Sequence, residues 1–169
     1  MALYPTSSSG GAVAQPAPGA ARLIERLCVA CFAAVTLGLA LWAGSEVTRA
    51  NGGSLGAPLD DSYIHFQFAR SFASFRPFEY TAGAPPVAGA TSLLWPALLT
   101  PAVWLGAGGS GLIGVTWVLG FGSLFGQARE LFLAGLRFAS WPFAFAAGIL
   151  VLTLSANTWF AASAMEVVP

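Results

Sequence analysis

Charge is scarce in this sequence. Only 8% of the 169 residues are Asp, Glu, Lys or Arg, and the mean hydropathy is +0.72. Because soluble domains carry about 25% charged residues, this composition excludes an ordinary soluble domain and predicts an integral membrane protein. Lysine is absent and the net charge is zero, so no basic surface points to nucleic acid as a partner.

Several signatures of soluble chemistry are also missing. The sequence contains no phosphate-binding glycine loop, no zinc-ligand spacing and no serine-nucleophile motif. Its two cysteines, Cys28 and Cys31, form a C-x-x-C, which in a soluble protein suggests a redox or zinc site. Both lie inside an uninterrupted apolar run, where thiols are poorly ionised and inert. We therefore interpret them as small apolar residues.

The first charge-free run, residues 27–45, is the first predicted membrane span. Its 19 residues match the roughly 20 that cross a bilayer core. Arg22 and Arg26 flank its start, so the positive-inside rule places that end in the cytoplasm. The chain after this span then emerges on the outer face. Residues 1–21 are rich in Pro, Gly, Ala and Ser and are predicted to be a disordered tail.

The rest of the predicted membrane domain, residues 22–169, contains further apolar segments: spans at 112–128 and 142–162, and a shorter segment at 91–105. The shorter segment has 15 residues and two prolines, which is typical of a re-entrant or interfacial helix. If it only dips into the outer leaflet, four arginines lie inside and three outside; if it crosses, two lie inside and five outside. The positive-inside rule favours three spans and one re-entrant helix. Four spans are the alternative.

Residues 61–76 are predicted to form an amphipathic helix in the first outer loop. At about 100° per residue, Ile64, Phe68, Phe72 and Phe75 share one face, and Tyr63, Gln67, Arg70 and Ser74 share the other. Such a helix lies at a membrane surface. The predicted fold is all-α, with polytopic transmembrane helices and this interfacial helix.

Two adjacent carboxylates open the amphipathic segment. Asp60 or Asp61 is a suitable N-cap for the helix, and this structural role accounts for one of them. Adjacent side chains point in different directions, so the other is free to accept a proton or bind a cation. His65 lies four positions after Asp61 and is either a second functional group that pairs with it or an ordinary interfacial histidine.

Three more polar residues have both a functional and a structural interpretation. Arg70 is suited to bind a phosphate, or to contact lipid headgroups. Tyr63 is a candidate site residue, or a member of the aromatic belt. Glu166 follows the last predicted span, and an acid there has a functional role only if it faces a cavity.

Four segments of the sequence carry a resemblance to a known group. They are D-D-S-Y-I-H-F-Q-F-A-R at 60–70, F-E-Y with Gly83, Pro85 and Gly89, T-S-L-L-W at 91–95, and S-A-M-E-V at 163–167. In this order they resemble motifs of polytopic GT-C-type glycosyltransferases: the first outer-loop motif, F-x-Y-N-x-G-x-P, T-S-P-L-W and S-G-M-E-T. This superfamily includes protein O-mannosyltransferases, the lipid A aminoarabinose transferase and cell-envelope arabinosyltransferases. Thr81, Leu93 and Ala164 stand where the family usually has Asn, Pro and Gly.

The resemblance implies an activity in the plasma (bacterial inner) membrane, with the N-terminus cytoplasmic. Such enzymes transfer a sugar from a polyprenyl-phosphate donor to a glycan, lipid or protein acceptor on the outer face, usually with inversion. It implies Asp60 or Asp61 as the general base for the acceptor hydroxyl and Arg70 as the group that stabilises the lipid-phosphate leaving group.

Tyr63, His65 and Glu166 are the remaining substrate-site candidates under this resemblance. No cofactor is specified, and a divalent metal remains open. Family members usually have many more spans, so we expect this chain to be an N-terminal part.

Two other classes of function compete with this interpretation. One is a non-enzymatic membrane subunit that binds lipid or a partner protein through the surface helix. A small transporter is the other, but it needs an ionisable residue in mid-span, and none of the three predicted spans has one.

Overall fold

The computed structural model of the protein describes residues 18–87, 89 and 92–165. These residues form six α-helices and no strand. In chain order the helices are α1 (Pro18–Ala50), α2 (Asp61–Ala73), α3 (Leu94–Trp104), α4 (Ser110–Gly135), α5 (Trp141–Thr153) and α6 (Ser155–Ala162). The predicted all-α fold class is therefore confirmed for the described part of the chain.

Two of the described helices, α1 and α4, are long and apolar enough to cross a bilayer. They contain 33 and 26 residues, which gives lengths of about 50 Å and 39 Å at 1.5 Å per residue. Helix α1 begins at Pro18, so the prediction of a disordered tail up to residue 21 is wrong for its last four residues. Proline is tolerated in a first helical turn, and the alanines that follow favour helix. Residues 1–17 lie outside the described residues.

Helices α1 and α4 run antiparallel. Phe32, in the first half of α1, packs edge-to-face on Phe132 near the end of α4, with ring centroids 5.7 Å apart. Gly44, near the end of α1, lies against the Trp117 ring near the start of α4. Arg26 and Arg129 consequently lie at the same end of the pair, where both line one cleft.

The predicted span at 142–162 is not one straight helix. Helices α5 and α6 meet at Leu154, which has an extended conformation, and their axes differ by 52°. The carbonyls near the break find side-chain donors: Asn157 Nδ2 donates to Val151 O at 2.9 Å, and Thr158 Oγ1 donates to Leu152 O at 3.3 Å. Short polar side chains compete with helical backbone in this way. The polar residues that break the helix were visible in the sequence, but their effect was not predicted.

Helix α3 has 11 residues and is about 16 Å long, which is about half the thickness of a bilayer core. It packs against α2 along its length. At its C-terminal end, Trp104 Nε1 donates a hydrogen bond to Ala73 O at 2.9 Å. The end of α2 is thereby attached to the end of α3.

Helix α2 is buried more widely than the predicted apolar stripe. Its buried side chains are Ser62, His65, Phe66, Phe68, Ala69 and Ser71. Burial of Phe68 is confirmed. Phe66 falls on the polar side of a helical wheel of this segment, yet it is also buried, because α3 and the segment near residue 164 cover that face.

The predicted C-terminal end of α2 also needs correction. The helix ends at Ala73 rather than at residue 76, and Ser74 is its C-cap. Phe75 has a positive φ of 55° and is 83% exposed. Its N–H bonds to Phe72 O, and the Arg76 N–H bonds back to Ser71 O. This is the Schellman arrangement that ends many helices, and it turns Phe75 out of the apolar face on which it was predicted.

Buried apolar side chains form two clusters. The bundle core joins α1, α4, α5 and α6 and includes Phe32, Leu124, Phe132, Ala144 and Leu152. The cap core joins α2, α3 and the start of α4 and includes Phe66, Ala69, Leu99, Leu112, Ile113 and Ala164. The candidate site lies over the cap core.

Candidate functional site

Both candidate carboxylates lie at the exposed start of α2. Asp60 occupies the N-cap position and Asp61 is the first helical residue, and both are exposed. The Asp60 backbone is already helical, and within the described residues its side chain makes no capping hydrogen bond. Its carbonyl accepts the Tyr63 N–H at 3.0 Å instead. The predicted N-cap position is thus confirmed without the predicted carboxylate bond, and both carboxylates remain accessible to a ligand.

Three consecutive carbonyl oxygens at the end of α6 accept hydrogen bonds from three different helices. Trp117 Nε1 of α4 donates to Ala162 O at 3.0 Å. Ser62 Oγ of α2 donates to Ser163 O at 2.6 Å. Trp95 Nε1 of α3 donates to Ala164 O at 3.2 Å. We call residues 162–164 with these three bonds the carbonyl tether.

The position of the tether follows from the end of a helix. The last carbonyls of a helix have no partner within it, and Ala164 turns the chain with a positive φ of 62°. Ala164, Ser163 and Ser62 are all buried, so an unpaired carbonyl there would be costly. The side chains of Ser62, Trp95 and Trp117 supply the hydrogen bonds that these carbonyls require. Because Ser62 follows Asp61 directly, the tether holds the acidic start of α2 beside residues 163–165.

The segment after α2 folds back onto the other side of this helix. Gln67 Nε2 donates to Tyr80 O at 2.8 Å, and Ser71 Oγ donates to Glu79 O. The Phe68 and Tyr80 rings pack edge-to-face at 5.9 Å. The first segment that carries the resemblance forms most of α2, and the other three are linked to it directly or through residues 163 and 164, although more than 100 positions separate Ser62 from Ser163.

Arg70 lies far from the carboxylates. Nine residues separate it from Asp61, which corresponds to about 14 Å along the axis and about 180° around it. The Arg70 side chain is exposed, and its Nη1 lies 3.4 Å from Gln67 Oε1, to which it donates. Asp61 and Arg70 consequently do not converge on one small reacting centre, contrary to the arrangement that the resemblance implies.

The other predicted site residues have different surroundings. His65 is only 2% exposed and belongs to the buried face of α2, while Asp61 one turn earlier is exposed. The Tyr63 hydroxyl accepts the Ala57 N–H at 3.0 Å, so this residue secures the loop before α2. Glu166 lies outside the described residues, and the last described position before it is Met165.

Sequence reasoning missed the residues that assemble the site. Ser62 belongs to the 60–70 motif and Trp95 to the 91–95 motif, but the sequence indicates no separate role for either of them. The role of Trp117 could not be recognised from the sequence, because a tryptophan in an apolar span is equally compatible with a position that faces lipid. Trp117 and Ser62 donate to carbonyls that lie 45 and 101 residues away in the sequence, and only the tertiary fold decides which carbonyl each donor meets.

The described residues contain no group of three or more His, Cys, Asp and Glu side chains arranged to hold a metal ion. Asp60 and Asp61 supply carboxylates, but no third ligand lies with them in the described part of the chain. Comparison with known proteins identified no relative: no protein-family model, no curated protein and no solved structure matches this chain.

Proposed function

We propose that this chain is a membrane glycosyltransferase, or the N-terminal part of one, that uses a polyprenyl-phosphate sugar donor. One observation carries the proposal: the four segments that resemble GT-C motifs pack together around α2. Ser62 bonds to Ser163 O, Trp95 bonds to Ala164 O, and Gln67 bonds to Tyr80 O. This convergence brings residues of the four segments into one region, as a common site requires.

The proposed reaction takes place at the start of α2. Asp60 or Asp61 accepts the proton of an acceptor hydroxyl while that oxygen forms a bond to the anomeric carbon of the donor sugar. The bond from this carbon to the phosphate oxygen breaks, and the polyprenyl phosphate leaves with the electron pair. Both carboxylates are exposed, so an acceptor can approach either one.

The geometry limits what Arg70 does in this proposal. Because it lies about 14 Å along α2 from Asp61 and on the opposite side of the helix, it takes no part in stabilising the leaving phosphate. It remains available for contact with lipid headgroups beside the aromatic end of α2.

The proposed membrane topology has the N-terminus in the cytoplasm and the candidate site on the outer face. Its support is the antiparallel α1–α4 pair, which puts Arg26 and Arg129 at one end and the carbonyl tether at the other. Four of the seven arginines then lie inside and three outside, a distribution that agrees with the positive-inside rule. In this topology α1, α4 and the bent α5–α6 pair span the inner membrane, and α2 and α3 lie at its outer surface.

The test of this proposal is sugar transfer by membranes that contain the full product of the gene, with polyprenyl-phosphate donors. We expect Asp60→Asn or Asp61→Asn to lower the transfer rate by about 10²- to 10⁴-fold, the usual effect of losing a general base. Glu46→Gln is the matched control, since Glu46 is an acid at the outer end of α1 that pairs with Arg49. Transfer within twofold of wild type in both Asp variants would contradict the proposal.

One observation favours the alternative of a non-enzymatic subunit. Phe75 and Trp104 stack at the end of α2 and α3 with ring centroids 6.2 Å apart, and both are largely exposed. An exposed aromatic pair suits contact with lipid or a partner protein. If the protein is such a non-enzymatic subunit, we expect Phe75→Ala to abolish its biological effect, and the Asp60→Asn and Asp61→Asn variants to leave that effect unchanged.

A further inference from the structure

A cleft of about 350 Å³ opens between α1 and α4, at the end of the molecule opposite the carbonyl tether. Its lining consists of Glu25, Arg26, Val29, Ala30, Ala33 and Arg129. Its volume lies in the range of small-molecule sites, about 300–1,000 Å³. Two arginines from different helices meet an apolar wall here, and the proposed reaction uses none of these residues.

The position of the cleft along the helices matches the boundary between lipid headgroups and acyl chains. Arg26 directly precedes the charge-free run 27–45, and Arg129 directly follows the charge-free run 112–128. In a spanning helix such a change from charged to apolar residues occurs at headgroup level. Val29, Ala30 and Ala33 lie one to two turns further into the apolar run. The cleft is therefore an open groove with charged side chains at one end and, further along α1, an apolar floor of Val29 and the exposed Ala30 and Ala33.

The charges of the lining suit a monoanion. Arg26 and Arg129 contribute two positive charges and Glu25 one negative charge, which leaves a net charge of +1. Arg22 on α1 and Glu130 on α4 flank the lining with one charge of each sign, so counting both of them leaves the net charge at +1. Arg129 hydrogen-bonds to Glu130, whose side chain is 68% exposed and outside the lining. Guanidinium groups bind phosphate oxygens with two parallel hydrogen bonds.

From this geometry we infer that the cleft binds the phosphodiester of an anionic phospholipid, with the start of an acyl chain against Val29, Ala30 and Ala33. A phosphodiester carries the single negative charge that the lining matches. The apolar floor distinguishes a lipid from a free phosphate, for which it provides no contact. This binding site is separate from the glycosyltransferase proposal and stands whether or not the chain transfers sugars.

The experiment measures lipid retention by the purified full chain in detergent, by native mass spectrometry. Phosphatidylglycerol is compared with phosphatidylcholine of the same acyl chains. We expect wild type to retain phosphatidylglycerol at least about fivefold better, and Arg26→Gln with Arg129→Gln to abolish this preference, since each arginine near a lipid surface contributes about fivefold. Arg49→Gln is the control, because Arg49 lies at the opposite end of α1.

Any of four outcomes would overturn the inference. One is equal retention of the two lipids by wild type, a result that does not depend on any variant folding. Another is an unchanged preference for phosphatidylglycerol in the double variant Arg26→Gln with Arg129→Gln, or an equal loss of that preference in Arg49→Gln. The last is displacement of phosphatidylglycerol by inorganic phosphate as readily as by the free lipid, which would assign the cleft to phosphate alone.

Discussion

The bundle core and the cap core differ in what joins their helices. In the bundle core Phe32 packs on Phe132 and Phe145, with ring centroids 5.7 and 5.2 Å apart. In the cap core, side chains of three helices donate hydrogen bonds to carbonyls of residues 162–164. The reason is the backbone: long helices satisfy their own carbonyls, whereas helix ends and breaks do not. Apolar packing holds the first region, and directed polar contacts specify the second.

The largest effect is expected from a cavity in the bundle core. Phe32→Ala removes a fully buried ring and its contacts, so we expect the free energy of unfolding to fall by about 3–5 kcal/mol. Titration with SDS in mixed micelles measures this change. Leu37→Ala on the exposed side of α1 is the control, with an expected change below about 0.5 kcal/mol. Equal losses in the two variants would show that lipid, and not the bundle core, contacts Phe32.

The second prediction tests whether the bundle positions the tether. A Cβ added at Gly120 would lie 2.6 Å from Ala161 O, a backbone atom that cannot turn away. We expect Gly120→Ala to lower the free energy of unfolding by about 1–3 kcal/mol, measured by the same SDS titration.

Gly122→Ala is the matched control for Gly120→Ala. Nothing lies within 4 Å of a Cβ at Gly122, two positions along the same helix. There the better helix propensity of alanine leaves stability unchanged or raises it by up to about 1 kcal/mol. If Gly120→Ala left the free energy of unfolding unchanged, α6 would be able to shift along α4 to make room for the added methyl group.

The third prediction concerns a single polar contact of the cap core. Ser62→Ala leaves the buried Ser163 carbonyl without its donor, so we expect a loss of about 1–2 kcal/mol in SDS unfolding. Ser74→Ala is the control, because the exposed Ser74 hydroxyl donates locally, to Arg70 O four residues earlier. A loss in Ser62→Ala no larger than in Ser74→Ala would remove the tether as a stabilising contact.

The smallest expected effect has the opposite sign. Ala164 has a positive φ of 62°, a conformation that glycine adopts without the steric cost of a Cβ. We expect Ala164→Gly to raise the free energy of unfolding by about 0.5–1 kcal/mol, measured by thermal unfolding in detergent. Ala162→Gly is the comparison, because its helical backbone makes glycine unfavourable by about 0.5–1 kcal/mol. Destabilisation by both changes would contradict the left-handed turn.

The sequence predicts correctly those helices and helix ends that depend only on composition and on neighbouring residues. The run at 27–45 lies within α1, the run at 112–128 lies within α4, and Asp60 stands at the predicted N-cap position. These features depend on hydropathy and on side chains near each helix, which are readable from neighbouring residues.

The sequence failed where distant segments meet. The wheel placed Phe66 on the polar face of α2, yet α3 and Ala164 bury it. The motif 60–70 suggested that Asp61 and Arg70 act together, yet the helix itself holds them apart. A helical wheel contains no information about the neighbouring helix that buries Phe66, whereas the separation of Asp61 from Arg70 follows from the nine helical positions between them.

The sequence by itself determined where the two long apolar helices lie, because the charge-free runs at 27–45 and 112–128 fall inside α1 and α4, which are long and apolar enough to cross a bilayer. Only the tertiary structure decided that α6 turns at Leu154 and delivers residues 162–164 to Ser62, Trp95 and Trp117. Hydropathy contains no information about which donor a carbonyl meets. That choice depends on the packing of four helices, and it places the acidic start of α2 beside the end of the described chain.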